Sequence, residues 1–237
     1  MHGKSATKRH PVHSPASAGA RTAVLRPALA VTAFALLHSA AAASPLRRAV
    51  GARLGDRRAA GTERVLYVAQ AALSTGLLGL DLLRLPDRPL YRVSGRPRRA
   101  MQAGQWLALL GVGGVAVAVG PRRFLGLPQL FDLVAGRPLR EGVVAQHPLP
   151  AGEELGWSGP YRLSRHPNNY FPLLAWWLSP TMTQKWATVG VAAGVYMLLG
   201  SLHEERRLLA TYGDRYRRYR AEVPHALGPP RRRPVEG

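Results

Sequence analysis

The sequence predicts an all-α fold: a polytopic membrane helix bundle of about five spans, with a C-terminal helical hairpin and a cytoplasmic tail. Three observations predict it. Four runs, 22–43, 65–83, 100–120 and 185–202, each approach the roughly 20 apolar residues that cross a ~30 Å hydrocarbon core. A shorter apolar run, 171–179, precedes the last of them and would make the fifth span. Arginine crowds the segments between the runs, which is how cations distribute at the polar edges of a bilayer. The mean hydropathy of −0.10 averages these two opposite compositions and so decides nothing.

Composition also excludes function classes. A net charge of +20 would suit nucleic acid only if the cations shared one face. Here they fall between apolar runs, so the expected partners are anionic lipid headgroups and not nucleic acid. The chain has no cysteine, which removes disulfides and protein thiolate chemistry.

Taken in order, residues 1–21 carry Lys4, Lys8, Arg9 and Arg21 with no apolar period, and read as a disordered basic arm. Their histidines, His2, His10 and His13, have no helical ligand spacing, so no metal site is expected. The first span ends in Ser39-Ala40-Ala41-Ala42-Ala43-Ser44, which looks like a signal-peptide cleavage site. The length of the run and Arg26-Pro27 at its start weigh against cleavage. Residues 46–64 and 85–99 read as arginine-rich connectors, the second broken by Pro86, Pro89, Gly95 and Pro97. Tyr67, Gln70 and Asp81 in the second span are expected to face neighbouring helices. In the third span, Gly111-Val112-Gly113-Gly114 lacks the strand that a dinucleotide loop requires, and its small residues suit close helix approach. Residues 121–158 read as a loop, possible lid included, with one short interfacial helix near 125–131. The membrane domain covers 22–224, and 225–237 is expected to be a basic tail.

The C-terminal hairpin concentrates the polar chemistry. Lys185 to Glu204 is 19 helical steps, about 29 Å, which brings the glutamates to the bilayer edge. Residues 166–180 can return the same distance only if part of the path is extended, and Pro167 and Pro172 suggest extension next to His166. Arg165 and His166 therefore meet Glu204 and Glu205 at one membrane face. On spacing alone, they either clamp the hairpin or line a site. Of the two carboxylates, Glu205 is expected to face the cavity.

The strings Gly159-Pro160-Tyr161-Arg162, Arg165-His166-Pro167, Glu204-Glu205-Arg206-Arg207-Leu208, Tyr212-Gly213, Tyr216, Tyr219 and Val223-Pro224 fall in a set order over 156–224. In that order they resemble the C-terminal signature of the isoprenylcysteine carboxyl methyltransferase and phospholipid methyltransferase superfamily of membrane enzymes. The front half, with Leu37-His38-Ser39, resembles the NnrU-type proteins and small-thiol S-methyltransferases of that superfamily. One departure is that Asn168 and Asn169 both separate Pro167 from Tyr170, where the family often has one residue.

The resemblance implies an integral membrane methyltransferase of a bacterial inner membrane with S-adenosylmethionine as cofactor, and the arginines of 206–220 and 231–233 are expected to hold the C-terminus in the cytoplasm. The acceptor would be a small thiol such as methanethiol or an isoprenylcysteine carboxylate. Carried over residue by residue, the catalytic pair is Arg165 and Glu205. The cofactor-binding set is Tyr161, His166, Pro167, Asn168, Tyr170, Glu204 and Glu205. The rival reading is a non-enzymatic NnrU-type protein that binds a small molecule or haem through His38 and His166.

Overall fold

The computed structural model describes residues 15–140 and 159–231. In chain order the helices are α1 (Pro15–Ala42), α2 (Ser44–Leu54), α3 (Asp56–Arg84), α4 (Gly95–Val119), α5 (Pro121–Leu125), α6 (Leu127–Val134), α7 (Pro167–Trp177), α8 (Gln184–Tyr212) and α9 (Asp214–Glu222). A 3-10 turn, Gly159–Arg162, precedes α7, and two short strands, β1 (Pro89–Arg92) and β2 (Thr181–Thr183), pair antiparallel. The architecture is thus an all-α bundle.

Four helices among the described residues are long and apolar enough to cross a membrane: α1 over Val24–Ala42, and α3, α4 and α8 over their full lengths. Their outer faces carry Leu29, Leu36, Leu73, Leu83, Trp106, Leu110, Val117 and Leu199, all exposed. So continuous an apolar surface is stable only against lipid. The chain is an integral membrane protein.

The expected fifth span, 171–179, lies mostly in α7, an 11-residue helix of about 16 Å that cannot cross alone. Pro172 sits inside it, so the extended path predicted beside His166 is not there. Instead the chain runs extended at the other end, where β2 leads from α7 into α8. Strand pairing fixes that end: Tyr91 faces Met182, Arg92 faces Thr181, and Gln184 donates its N–H to the Arg88 carbonyl at 2.8 Å. Thr183 caps α8 by accepting the Trp186 N–H. Lys185 reaches back from α8 to the end of α3, donating to the Leu82 and Leu85 carbonyls at 2.9 and 3.3 Å, and its charge lies 3.5 Å from Asp87.

Other boundaries also differ. Helix α1 begins at Pro15, inside the stretch expected to be a disordered arm, and residues 1–14 lie outside the described residues. The connector 46–64 is helical, as α2 and the start of α3, because arginine and alanine are good helix formers and Pro45 lies in the first turn, where its missing N–H costs nothing. The presumed loop after 120 begins with α5 and α6. Helix α6 buries Gln129 and Asp132 and exposes Phe131 and Val134 (67 % and 80 %), an inverted polarity that suits an interfacial helix in the headgroup layer. The rest of that loop, including the suggested lid and Trp157, lies outside the described residues.

Close packing follows the small residues. On α4, a Cβ at Gly111 would strike the Phe171 ring of α7, and one at Gly114 would come within 3.1 Å of Pro160, whereas Gly113 faces open space. On α8, Gly190 leaves room for Trp176 and Trp177, which a Cβ would approach to 2.8 and 2.9 Å. Asp81 and Tyr67 of α3 both face α1, pairing with Arg26 at 2.8 Å and His38 at 2.5 Å.

Candidate functional site

Helices α7 and α8 run antiparallel, and their polar ends meet as the sequence requires. The residues before α7 are held in place by the chain after α9. Arg165 donates its backbone N–H to the Pro224 carbonyl at 2.9 Å, and Gly228 donates to Leu163 at 2.9 Å. Ser164 donates its hydroxyl to the His225 carbonyl at 2.8 Å and accepts the His166 N–H at 3.0 Å.

Within this lacing, Glu205 is a hub. Its Oε1 accepts from Arg165 Nε at 2.7 Å and lies 3.2 Å from His166 Nε2, and its Oε2 lies 3.4 Å from Arg220 Nε. Arg165 also donates Nη1 to the Arg220 and Val223 carbonyls at 3.1 and 2.7 Å. The side chains of Arg165 and Glu205 are 8 % and 6 % exposed. So buried a pair is tolerated only because neighbouring hydrogen bonds serve the remaining atoms.

His166 lies between the carboxylates, with Nδ1 3.4 Å from Glu204 Oε2 and Nε2 3.2 Å from Glu205 Oε1. Neutral imidazole donates from one nitrogen only, whereas imidazolium satisfies both glutamates. Burial opposes that charge, but the hydrogen bonds and charges of Glu204 and Glu205 outweigh it and raise the His166 pKa above its ordinary value. His225 is shifted the other way, first by burial and then by the nearby His166. Its hydrogen bonds form a directed chain. Ser201 donates to the Leu198 carbonyl at 2.8 Å and so accepts from His225 Nε2 at 3.1 Å, which leaves His225 Nδ1 to accept the Tyr170 hydroxyl at 2.8 Å.

The signs give a pH prediction. The charged His166 stabilises the fold fully below its unfolded value near 6.5, and that contribution is lost as pH rises through the raised folded value. Neutral His225 contributes above 6.5 and loses that contribution as pH falls through its lowered value. Thermal stability in detergent should therefore peak near pH 6.5. His166→Gln should flatten the alkaline limb and His225→Gln should make the acid limb shallower; unchanged limbs in both variants would refute the assignment.

His166, Glu205 and His225 present ligand atoms within 4.8 Å of one another, as a metal centre would. The ring nitrogens of His225 are already occupied by Tyr170 and Ser201, and Arg165 holds Glu205 Oε1, so hydrogen bonding accounts for the cluster without an ion. Nor is His166 set up for haem, since both its nitrogens face carboxylates.

Beside this network lies a cavity of about 870 Å³, within the roughly 300–1,000 Å³ of sites for drug-sized ligands. Asn168 and Asn169 of α7 line it, with Gly200, His203, Glu204 and Arg207 of α8. The two glutamates therefore take roles opposite to the expectation. Adjacent helical positions diverge by about 100°, which turns Glu204, 24 % exposed, to the cavity and Glu205 into the protein.

The predicted set divides accordingly. Asn168 and Glu204 face the cavity. Arg165, His166, Tyr170 and Glu205 belong to the clamp behind it. Tyr161 is buried with Val115 and Val119 and accepts the Tyr219 hydroxyl at its carbonyl, while buried Pro167 starts α7. Neither lines the cavity. Sequence reasoning missed His225, which it assigned to the tail; its position directly after Val223-Pro224 was the available signal.

Fold and site together define a helical integral membrane protein with a cavity between its spans that carries charged and amide side chains on a largely apolar wall. No family profile matches the chain, and no solved structure matches it. Among curated proteins, it is 31 % identical over 170 residues to the methanethiol S-methyltransferase of Mycobacterium tuberculosis, covering 72 % of this chain and 65 % of the relative. It is 27 % identical over 213 residues to methanethiol S-methyltransferase 2 of Bradyrhizobium diazoefficiens, covering 90 % and 75 %. A further 74 residues are 34 % identical to the methanethiol S-methyltransferase of Pseudomonas deceptionensis, covering 31 % and 28 %. The chain is a homologue of these proteins, consistent with the small-thiol S-methyltransferase branch of the membrane methyltransferase superfamily. It spans just under two thirds of the length of the Mycobacterium relative.

Proposed function

We propose that this chain is an integral membrane methyltransferase that uses S-adenosylmethionine to methylate a small thiol. The observation that carries this reading is the cavity: charged and amide groups at Asn168, Asn169, His203, Glu204 and Arg207, braced from behind by a buried clamp. The relatives' names, methanethiol S-methyltransferase, support the thiol as acceptor.

The lining fits the amino-acid end of the cofactor, which has an ammonium for Glu204 and a carboxylate for the Arg207 guanidinium or a ring N–H of His203. The face of Tyr196 suits a sulfonium cation. When bound, S-adenosylmethionine supplies an activated methyl group. The protein then has to orient the acceptor in line, exclude water, and take a proton from a neutral thiol. Arg165 and Glu205 act in this scheme by holding the ends of α7 and α8 in register. The arginines of 206–220 favour a cytoplasmic C-terminus in a bacterial inner membrane.

Gly200 tests the cavity. It lines the space, and a Cβ there would meet nothing within 4 Å, so the first atom of a larger side chain is accommodated and the rest is directed at the cavity. Gly200→Leu should leave the melting temperature unchanged or higher, since Gly costs roughly 0.8–1 kcal/mol in a helix interior. It should lower S-adenosylmethionine binding at least tenfold; undiminished binding would place the cofactor elsewhere. The activity itself is tested with methyl-labelled S-adenosylmethionine and a panel of methanethiol, a prenylated cysteine and phosphatidylethanolamine. Label in dimethyl sulfide is expected, and label only in the prenylated cysteine or the lipid would reassign the acceptor.

A further inference from the structure

The same cavity contains a second polar group, on α1 and α3, that the clamp does not touch. Tyr67 Oη lies 2.5 Å from His38 Nε2, and Phe34 stacks on the His38 ring at 5.4 Å. Arg64 donates Nε–H to the Phe124 carbonyl at 2.8 Å, and its guanidinium lies over the rings of Tyr67 and Phe124 at 5.7 and 5.0 Å. From α8, Tyr196 approaches His38 edge-on at 6.4 Å and shares a hydrogen bond with Ser39 at 3.2 Å. All these side chains except Phe124 line the cavity.

Two features set this group apart from ordinary interhelical glue. Among the described residues, His38 Nδ1 and Arg64 Nη2 are buried without a hydrogen-bond partner. Leaving such atoms unserved is costly, most of all for a guanidinium inside a membrane protein. The cavity lining also carries Arg64, Arg123 and Arg207 against Glu63 and Glu204, with Arg140 already paired to Asp132 at 3.0 Å, an excess of one positive charge that favours an anion. Tyr67, His38 and Arg64 line the same cavity as Glu204 and Arg207 of α8, so this group and the α8 residues border one space.

We propose that Tyr67, His38 and Arg64 form the acceptor end of the cavity, where a small thiol is bound, loses its proton and is held as the thiolate. This rests on the methyltransferase reading for its purpose, but not for its geometry. The S–H bond breaks and its electron pair stays on sulfur. The proton passes to Tyr67 Oη as the phenol's own proton moves to His38 Nε2, leaving phenol, imidazolium and thiolate. Arg64, fixed by Phe124 and the two rings, provides the opposing charge. Tyr67 touches the thiol, and His38 acts through it.

The test uses the full chain in lipid nanodiscs, with ethanethiol as the probe and no methyl donor. The chain has no cysteine, so the S–H stretching band in a Raman spectrum belongs to the ligand alone. At stoichiometric binding, followed by calorimetry, the wild-type protein should abolish that band. Tyr67→Phe, which keeps the ring under Arg64, should bind ethanethiol with the band intact; if it fails to insert, His38→Gln replaces it. With S-adenosylmethionine added, Tyr67→Phe should slow ethanethiol turnover on the order of 10²-fold, the usual contribution of a positioned proton acceptor. Turnover of ethaneselenol, already ionised at neutral pH, should stay near wild type. Loss of the S–H band in a wild-type protein that transfers no methyl group would sustain the site and remove the methyltransferase reading. The proposal falls if ethanethiol does not bind, if the band persists in the wild-type complex, or if a folded variant loses thiol and selenol turnover equally.

Discussion

Glu205→Ala should destabilise the protein by about 3–5 kcal/mol, the cost of leaving one member of a buried ion pair uncompensated. The magnitude follows from position. Glu205 accepts from Arg165 and lies beside His166 and Arg220, and at 8 % side-chain exposure the Arg165 guanidinium would keep its charge after losing this carboxylate. The hairpin and the segment around 223–228 should loosen together. Thermal melting in detergent, combined with limited proteolysis near residue 223, would register this. A variant that melts like the parent protein would show that the clamp is not what closes the hairpin. Cofactor binding should decline only as far as folding does.

Glu204→Gln is the contrasting case. Its carboxylate faces the cavity, and the Gln amide oxygen can still accept from His166 Nδ1, so the substitution should lower the melting temperature far less than Glu205→Ala does. If Glu204 holds the cofactor ammonium, S-adenosylmethionine binding should weaken by about 1.5–3 kcal/mol, the range for a hydrogen bond to a charged group. Calorimetric titration of the purified protein measures it directly. Unchanged affinity in Glu204→Gln, with Asn168→Ala also silent, would remove this wall of the cavity from the cofactor site.

The two glutamates also show how far the sequence could be read. Their meeting with Arg165 and His166 was legible, because helical rise and span length are nearly fixed by the chain. The route by which they meet was not. Pro172 suggested extension before it, yet proline is tolerated within α7, and the extra length came from β2, whose signal is a three-residue strand defined only by its pairing with Pro89–Arg92. Which carboxylate faces the cavity depends on the rotation of α8 against α1, α3 and α7, a tertiary quantity with no local trace at Glu204-Glu205. His225 was missed for a related reason: a lone histidine in an arginine-rich tail shows nothing until the chain folds back onto 163–166. The His38–Tyr67 pair is likewise assembled from two spans 29 positions apart, and each residue alone reads as interhelical packing.

That fold-back sets an order of assembly. The partners of Arg165 and Ser164 in Pro224 and His225 are synthesised after α8 has been made. A nascent chain that has inserted all four long helices still has Arg165 without the Arg220, Val223 and Pro224 carbonyls and Glu205 without Arg220. The clamp can close only when the residues beyond α9 have left the ribosome, at the membrane face where the hairpin's polar ends wait. Insertion and completion of the site are therefore separate events in the life of the chain, and the short segment after the last long helix decides when the second occurs.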